Sequence, residues 1–147
     1  MKKLYISIII FIIALDQATK YLVVSNLNTG ETIPILGDWF RITYVQNTGV
    51  AFSMFSGNQW ITIAFTSILL IVCLTLVFKI CRDKKLPILL SCIFAGGIGN
   101  LIDRIARGYV VDMISCGSFA VFNVADMFVT CACLLTVFYL IFVYKDK

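Results

Sequence analysis

Two carboxylates are set among apolar residues: Asp112 in Gly108-Tyr-Val-Val-Asp-Met113 and Asp126 in Phe122-Asn-Val-Ala-Asp-Met127. An acid in such surroundings is expensive to keep, so it marks function by default. The chain has eight Asp plus Glu and no His, so any proton-transfer site must be built from very few groups. If the two carboxylates approach to ~4 Å at an effective dielectric of ~20, their repulsion is about 4 kcal/mol. That repulsion corresponds to roughly three pKa units. The pair would then share one proton near neutral pH. One member takes a proton from water while the other gives one to a carbonyl oxygen, the logic of paired acids in peptide hydrolysis. The plainer alternative is two separate acids, each solvated at an interface.

Whether they meet depends on the elements that carry them. On one continuous helix, fourteen residues would put them about 21 Å apart along the axis. Ser115-Cys-Gly-Ser118 is a turn signal, however. The flanking stretches, Tyr109 to Ile114 and Phe119 to Phe122, are predicted to form a hairpin-like return that brings Asp112 towards Asp126. Asn123, three residues before Asp126, is placed to cap a helix or to hold a substrate carbonyl.

The chain is 61% hydrophobic with a mean hydropathy of +0.98, well above the roughly half apolar share of soluble domains. One small integral membrane domain over residues 1–147 is expected. Four apolar segments reach the roughly 20 residues needed to cross a bilayer: Leu4 to Val24, Trp60 to Phe78, Leu86 to Ile105 and Val124 to Tyr144. The first begins Met-Lys-Lys and imitates a signal peptide, but no small-residue cleavage site follows it, so a retained helix is expected. Lys2, Lys3, Lys79, Arg82, Lys84, Lys85, Lys145 and Lys147 fall on one side of four spans; Lys20, Arg41, Arg104 and Arg107 fall on the other. The excess puts both termini in the cytoplasm and the loops 26–59 and 106–123 outside. The net charge of +4 follows from this asymmetry, and nucleic acid is not an expected partner. The six cysteines (73, 81, 92, 116, 131 and 133) lack a CxxC spacing and a His partner, so neither a metal nor another cofactor is expected. Cys116, the only one predicted outside, reads as an indifferent thiol.

The first outer loop is predicted to hold a strand at Trp39-Phe-Arg-Ile-Thr-Tyr-Val-Gln46, between turn signals at Gly37-Asp38 and Asn47-Thr-Gly49. Thr32-Ile-Pro-Ile-Leu36 is a second short strand. The expected architecture is therefore an all-α integral membrane protein, four transmembrane helices with a small extracytoplasmic β-sheet. Trp39, Phe40, Phe52, Phe55 and Trp60 supply an interfacial aromatic belt or line a groove for a lipidated substrate.

Two further polar groups point to the same end. Asp16 and Lys20 are four apart, the favourable order for a helical ion pair. Asn100, Asp103, Arg104 and Arg107 recur at spacings of three and four, on one stripe behind Gly96-Gly-Ile-Gly99. The glycines admit a neighbouring backbone, and Arg104 offers a planar fork suited to a carboxylate. Each group reads either as a structural network or as the support of a shared site.

Taken together, the segments Asp16-Gln-Ala-Thr-Lys20, Asn47-Thr-Gly-Val-Ala-Phe52, Gly96-Gly-Ile-Gly-Asn-Leu-Ile-Asp-Arg104, Gly108-Tyr-Val-Val-Asp112 and Phe122-Asn-Val-Ala-Asp126 resemble the lipoprotein signal peptidase (signal peptidase II) family. Five motifs in the family's order cover nearly the whole chain. The resemblance implies an aspartic endopeptidase without metal, in the bacterial cytoplasmic membrane, with its site towards the extracytoplasmic face. It implies removal of the signal peptide from prolipoproteins, just before a cysteine that carries a diacylglyceryl group. The implied partners are those substrates and membrane lipids, with the chain acting as a monomer, and the cyclic lipopeptide globomycin is the implied inhibitor. By the motifs, Asp112 and Asp126 are the catalytic pair. Asp16, Lys20, Asn47, Gly49, Asn100, Asp103, Arg104, Asn123 and Ala125 match positions that orient the pair, hold the substrate or stabilise the site. Met113 and Met127 after the two aspartates, and a short stretch between them, depart from many relatives.

Two other classes compete. A carboxylate-lined ion or proton transporter would place acids on both sides of the midplane, whereas here they gather towards one face. A lipid-binding or assembly factor would not need the two aspartates.

Overall fold

A computed structural model describes residues 2–49, 58–79 and 85–143. The expected contributions of Phe52, Phe55, Cys81, Arg82, Lys84, Lys145 and Lys147 lie outside the described residues. The elements run α1 (Lys2–Asn26), β1 (Thr32–Leu36), β2 (Phe40–Asn47), α2 (Gln59–Lys79), α3 (Leu86–Arg107), β3 (Val110–Cys116) and α4 (Val124–Phe142).

All four helices are long and apolar enough to cross a membrane. Helix α3 buries 50% of its most apolar stretch, against 22%, 22% and 17% for α1, α2 and α4. It therefore forms the centre and touches the other three. Large apolar side chains such as Ile10, Phe11, Ile71, Leu134 and Phe138 stay exposed on the outer helices, as expected where lipid rather than a protein core is the neighbour.

Glycines on α3 set its distance from its neighbours. A Cβ at Gly96 would lie 2.5 Å from the Ala125 carbonyl oxygen on α4, and one at Gly99 would lie 2.5 Å from Asp16 Oδ2 on α1. The close approach predicted for this motif is thus made to a backbone at one glycine and to a carboxylate at the other.

The three strands form an antiparallel sheet in the order β1-β2-β3 at one end of the bundle. β1 has the bounds expected from the sequence, and β2 is shifted by one residue. β3 corrects the expected loop around Asp112: it pairs with β2, 67 residues away at Val45↔Asp112. The expected return survives in reduced form, as a single bridge between Ile114 and Phe122. Val23 of α1, Leu27 just after it, Tyr44 of β2, and Val111 and Met113 of β3 form the apolar cluster that seats the sheet on the helices.

Helix α3 ends at Gly108, whose φ of 84° is in the left-handed region and whose N–H donates to the Arg104 carbonyl. Glycine adopts that conformation without steric penalty, and the turn feeds the chain directly into β3. Trp39 and Trp60 are largely exposed, which suits both the belt and the groove expected of them.

Candidate active site

Asp112 sits in the middle of β3, and Asp126 is the third residue of α4. Asn123 is within reach of both. It is the N-cap of α4: its side-chain Oδ1 accepts from Asp126 N at 2.9 Å, and its backbone N–H donates to Asp126 Oδ2 at 3.3 Å. With Oδ1 committed to an N–H, its amide nitrogen must face the other way. There it donates to Asp112 Oδ1 at 2.7 Å and to Asn100 Oδ1 at 3.1 Å. One capping residue thereby brings the strand acid and the helix acid to a common point.

The remaining oxygens are held too. Asn47, diagonal to Asp112 across the β2–β3 pair, donates to Asp112 Oδ2 at 2.9 Å. Asn100 donates to Asp126 Oδ1 at 2.8 Å. The Asn100 amide has no freedom to flip, because its Oδ1 accepts from Lys20 Nζ at 2.9 Å and an ammonium can only donate.

Lys20 is fully buried. Its other two donors reach Asp16 Oδ2 at 2.8 Å and Asp103 Oδ2 at 3.0 Å. Each of these acids also grips backbone. Asp16 Oδ1 accepts from Ala125 N at 2.9 Å, one residue before Asp126. Asp103 Oδ2 accepts from Val111 N at 3.1 Å, one residue before Asp112. A buried cation removed from water needs such complete pairing.

Arg104 is buried but takes no carboxylate, contrary to the pairing expected from its fork. Its Nη2 donates to the Gly49 carbonyl at 2.8 Å, and the Gly49 N–H donates to Asn47 Oδ1 at 2.9 Å. The carboxylate oxygens nearby are already committed to Lys20, the asparagines and backbone N–H groups. Arg104 therefore fixes the turn that carries Asn47.

Burial pushes the Asp112 carboxyl up to about 6. The Asn47 hydrogen bond opposes that rise, while the nearby Asp126 charge adds to it. A carboxyl titrating near 6 can hold or release a proton in the working range of an enzyme. The site opens on a cavity of about 330 Å³ lined by Val45, Gln46, Asn47, Gly49, Asp112 and Val121, among others. Among the described residues, no three His, Cys, Asp or Glu side chains converge so as to hold a metal ion.

All eleven residues singled out by sequence therefore lie in one connected network. Gln17 belongs to it as well and was missed: its Nε2 donates to Asp16 Oδ2 at 3.2 Å, to the Gly99 carbonyl at 3.1 Å and to Asp103 Oδ1 at 3.4 Å. It lies inside the quoted Asp16–Lys20 motif, but its position next to Asp16 hid the shared face. Gln59 was missed too. It donates to the Arg104 carbonyl at 2.7 Å and ties the start of α2 to the end of α3.

The family model described as signal peptidase (SPase) II matches residues 8–142. The chain belongs to the signal peptidase II family. A lipoprotein signal peptidase of Fusobacterium nucleatum is 39% identical over 98% of this chain and 90% of its own length. One from Halothermothrix orenii is 37% identical over 90% of this chain and 92% of its own. A bacterial membrane enzyme structure solved in meso at 2.3 Å superposes with a TM-score of 0.92 at 29% identity, covering 99% of this chain and 92% of that one. A second, at 1.9 Å, gives 0.87 at 29% identity, covering 96% and 94%. This signal peptidase II family member is thus a protease of a multi-pass bacterial membrane type, and the family acts on prolipoproteins.

Proposed function

We propose that the chain is an intramembrane aspartic endopeptidase that cuts diacylglyceryl-modified prolipoproteins on the N-terminal side of the modified cysteine, with Asp112 and Asp126 as its dyad. The observation that carries this reading is Asn123, which donates to Asp112 through its side chain and to Asp126 through its backbone. A single residue gives both acids a common origin.

In the proposed reaction the dyad holds one proton. The ionised member takes a proton from a water, whose oxygen attacks the scissile carbonyl carbon. The protonated member gives its proton to the carbonyl oxygen. The tetrahedral intermediate collapses when its C–N bond breaks: one aspartate gives its proton to the leaving amine, and a hydroxyl of the intermediate returns a proton to the other, which restores the one-proton dyad. Charge supports the one-proton state: Asp16, Asp103, Asp112 and Asp126 face Lys20, Arg104 and the partly exposed Arg107. One added proton brings the group to neutrality, which a low-dielectric setting favours.

Asp16, Lys20, Asn100, Asp103, Asn123 and Ala125 position the dyad in this reading. Asn47, Gly49 and Arg104 shape the wall of the substrate cavity. The chain works as one membrane domain and as a monomer, since both acids come from one copy. The excess of basic residues at the opposite end orients both termini to the cytoplasm and the dyad to the extracytoplasmic face. At that face the cleavage point leaves the bilayer, water reaches the acids, and the acyl chains remain in lipid.

The test is cleavage of a diacylglyceryl-modified prolipoprotein by purified wild type, Asp112→Asn and Asp126→Asn, with and without globomycin. Wild-type cleavage just before the modified cysteine, blocked by globomycin and lost in both folded variants, is expected. Full activity in either variant would remove that aspartate from the dyad.

A further inference from the structure

The end of the bundle farthest from the carboxylates carries a second cavity. It is a groove of about 390 Å³ between the start of α3 and the end of α4, lined by Lys85, Ile88, Leu89, Leu135, Phe138 and Tyr139, with Val143 at its rim. On α4, thirteen residues separate Asp126 from Tyr139, about 20 Å along the axis. The groove thus lies near the opposite membrane surface and takes no part in the chemistry above.

Its walls and its rim differ in kind. The walls are aliphatic and aromatic. The rim holds the exposed Lys85, one residue before the membrane-spanning stretch Leu86–Arg107, with its Nζ 5.9 Å from the Tyr139 ring centroid. The rim coincides with the N-terminus of α3, which has no acidic residue in its first turn. The positive end of the helix dipole adds to the charge of Lys85 there. The sequence adds to the same sign: Lys79, Arg82 and Lys84 precede Lys85, Lys145 and Lys147 follow α4, and only Asp83 and Asp146 oppose them.

An occupant must match both parts, an anionic head at the rim and an apolar tail along the walls. A zwitterionic lipid satisfies only the second, and a soluble anion only the first. Basic rims between transmembrane helices select acidic head groups in this way. We infer that the groove between α3 and α4 is a binding site for one anionic phospholipid, its phosphate on Lys85 and an acyl chain against Ile88, Leu135 and Phe138. The inference does not depend on the dyad. A failure here leaves the peptidase reading intact, and the reverse also holds.

The test is native mass spectrometry of the full-length chain equilibrated with equimolar phosphatidylglycerol and phosphatidylcholine of identical acyl chains. The wild type is expected to retain phosphatidylglycerol in preference. Lys85→Gln should lower that preference about five-fold, the factor equivalent to ~1 kcal/mol per basic residue at an anionic surface. Lys85→Arg should keep it. Leu135→Trp, which fills the groove, should reduce retention of both lipids, and prolipoprotein cleavage by each variant reports on folding. Excess glycerol 3-phosphate should not displace the lipid. Equal retention of the two lipids by wild type, an unchanged preference in Lys85→Gln, or displacement by glycerol 3-phosphate would each overturn the proposal.

Discussion

The carboxylate of Asp16 on the first helix and the backbone N–H of Ala125 on the last are 2.9 Å apart. A matching bond joins Asp103 to Val111 N at 3.1 Å. Each residue whose N–H is held this way immediately precedes one of the two proposed catalytic acids, and both gripping carboxylates bind Lys20. The geometry of the proposed dyad is therefore set by one ammonium acting through two backbone clamps.

Replacing Lys20 by Met should remove that common anchor and leave Asp16 and Asp103 buried without their cation. Breaking a buried pair on one side costs about 3–5 kcal/mol, so the thermal midpoint should fall steeply and cleavage should be lost. Adding Asp103→Asn to Lys20→Met should recover part of the midpoint, because one orphaned charge is then gone. Thermal unfolding of the two single variants and the double variant in detergent checks this. Strict additivity would argue against a shared cation.

The glycines of α3 separate by what they touch. A Cβ at Gly99 would meet Asp16 Oδ2 at 2.5 Å, whereas one at Gly97 would meet the end of the flexible Leu70 side chain. Gly99→Ala should displace Asp16 and, through it, the start of α4. A misplacement of ~1 Å can cost on the order of 100-fold in rate, so kcat should fall by 10- to 100-fold with expression maintained. Gly97→Ala should be far milder. Turnover measured on both variants decides it.

Asn47 opposes the upward push that burial exerts on the Asp112 carboxyl. Without its donor, Asp112 should titrate at a higher pH. The limb of the pH–rate profile that starts from about 6 in wild type should therefore move upward in Asn47→Ala. A profile that kept its position while only its height fell would show that Asn47 acts on the substrate rather than on the acid.

Stability should respond to the same group. The carboxyl of Asp112 titrates at about 6 when folded and near ~3.9 when unfolded. The folded state binds that proton more tightly, so the contribution is fully present below ~4 and is lost as pH rises through 6. The difference amounts to about 2–3 kcal/mol. Asp112→Asn should accordingly have a higher thermal midpoint than wild type at pH 8, an advantage that shrinks towards pH 5. Melting curves at the two pH values suffice, and a constant offset would contradict the prediction.

The helices were legible because length and apolarity alone select membrane spans. β1 and β2 were legible because turn signals bracket β-branched and aromatic residues. β3 was not, since Val110, Val111, Asp112 and Met113 are all buried and leave no alternation to read. Its partner strand also lies 67 residues earlier at Val45↔Asp112, a separation no local pattern encodes. The site residues could be named from their motifs, and the i,i+4 pair Asp16–Lys20 from spacing, but the wiring between them could not. Lys20 to Asn100 spans 80 residues and Asp16 to Ala125 spans 109. Arg104 shows the limit well. Its chemistry favours a carboxylate, yet competition among neighbouring donors leaves it the Gly49 carbonyl.

The Asp16–Lys20 bridge also bears on biosynthesis. Both members belong to α1 and lie one helical turn apart, so the earliest made of these four helices carries its own counterion. A lone lysine or aspartate would oppose partition into the bilayer, but the pair crosses as a neutral unit. Asn100 and Asp103 arrive only with the third helix, and Ala125 only with the fourth. The same charges that ease insertion of α1 thus become the anchor of the proposed dyad, and the two acids are not drawn together until α4 is in place.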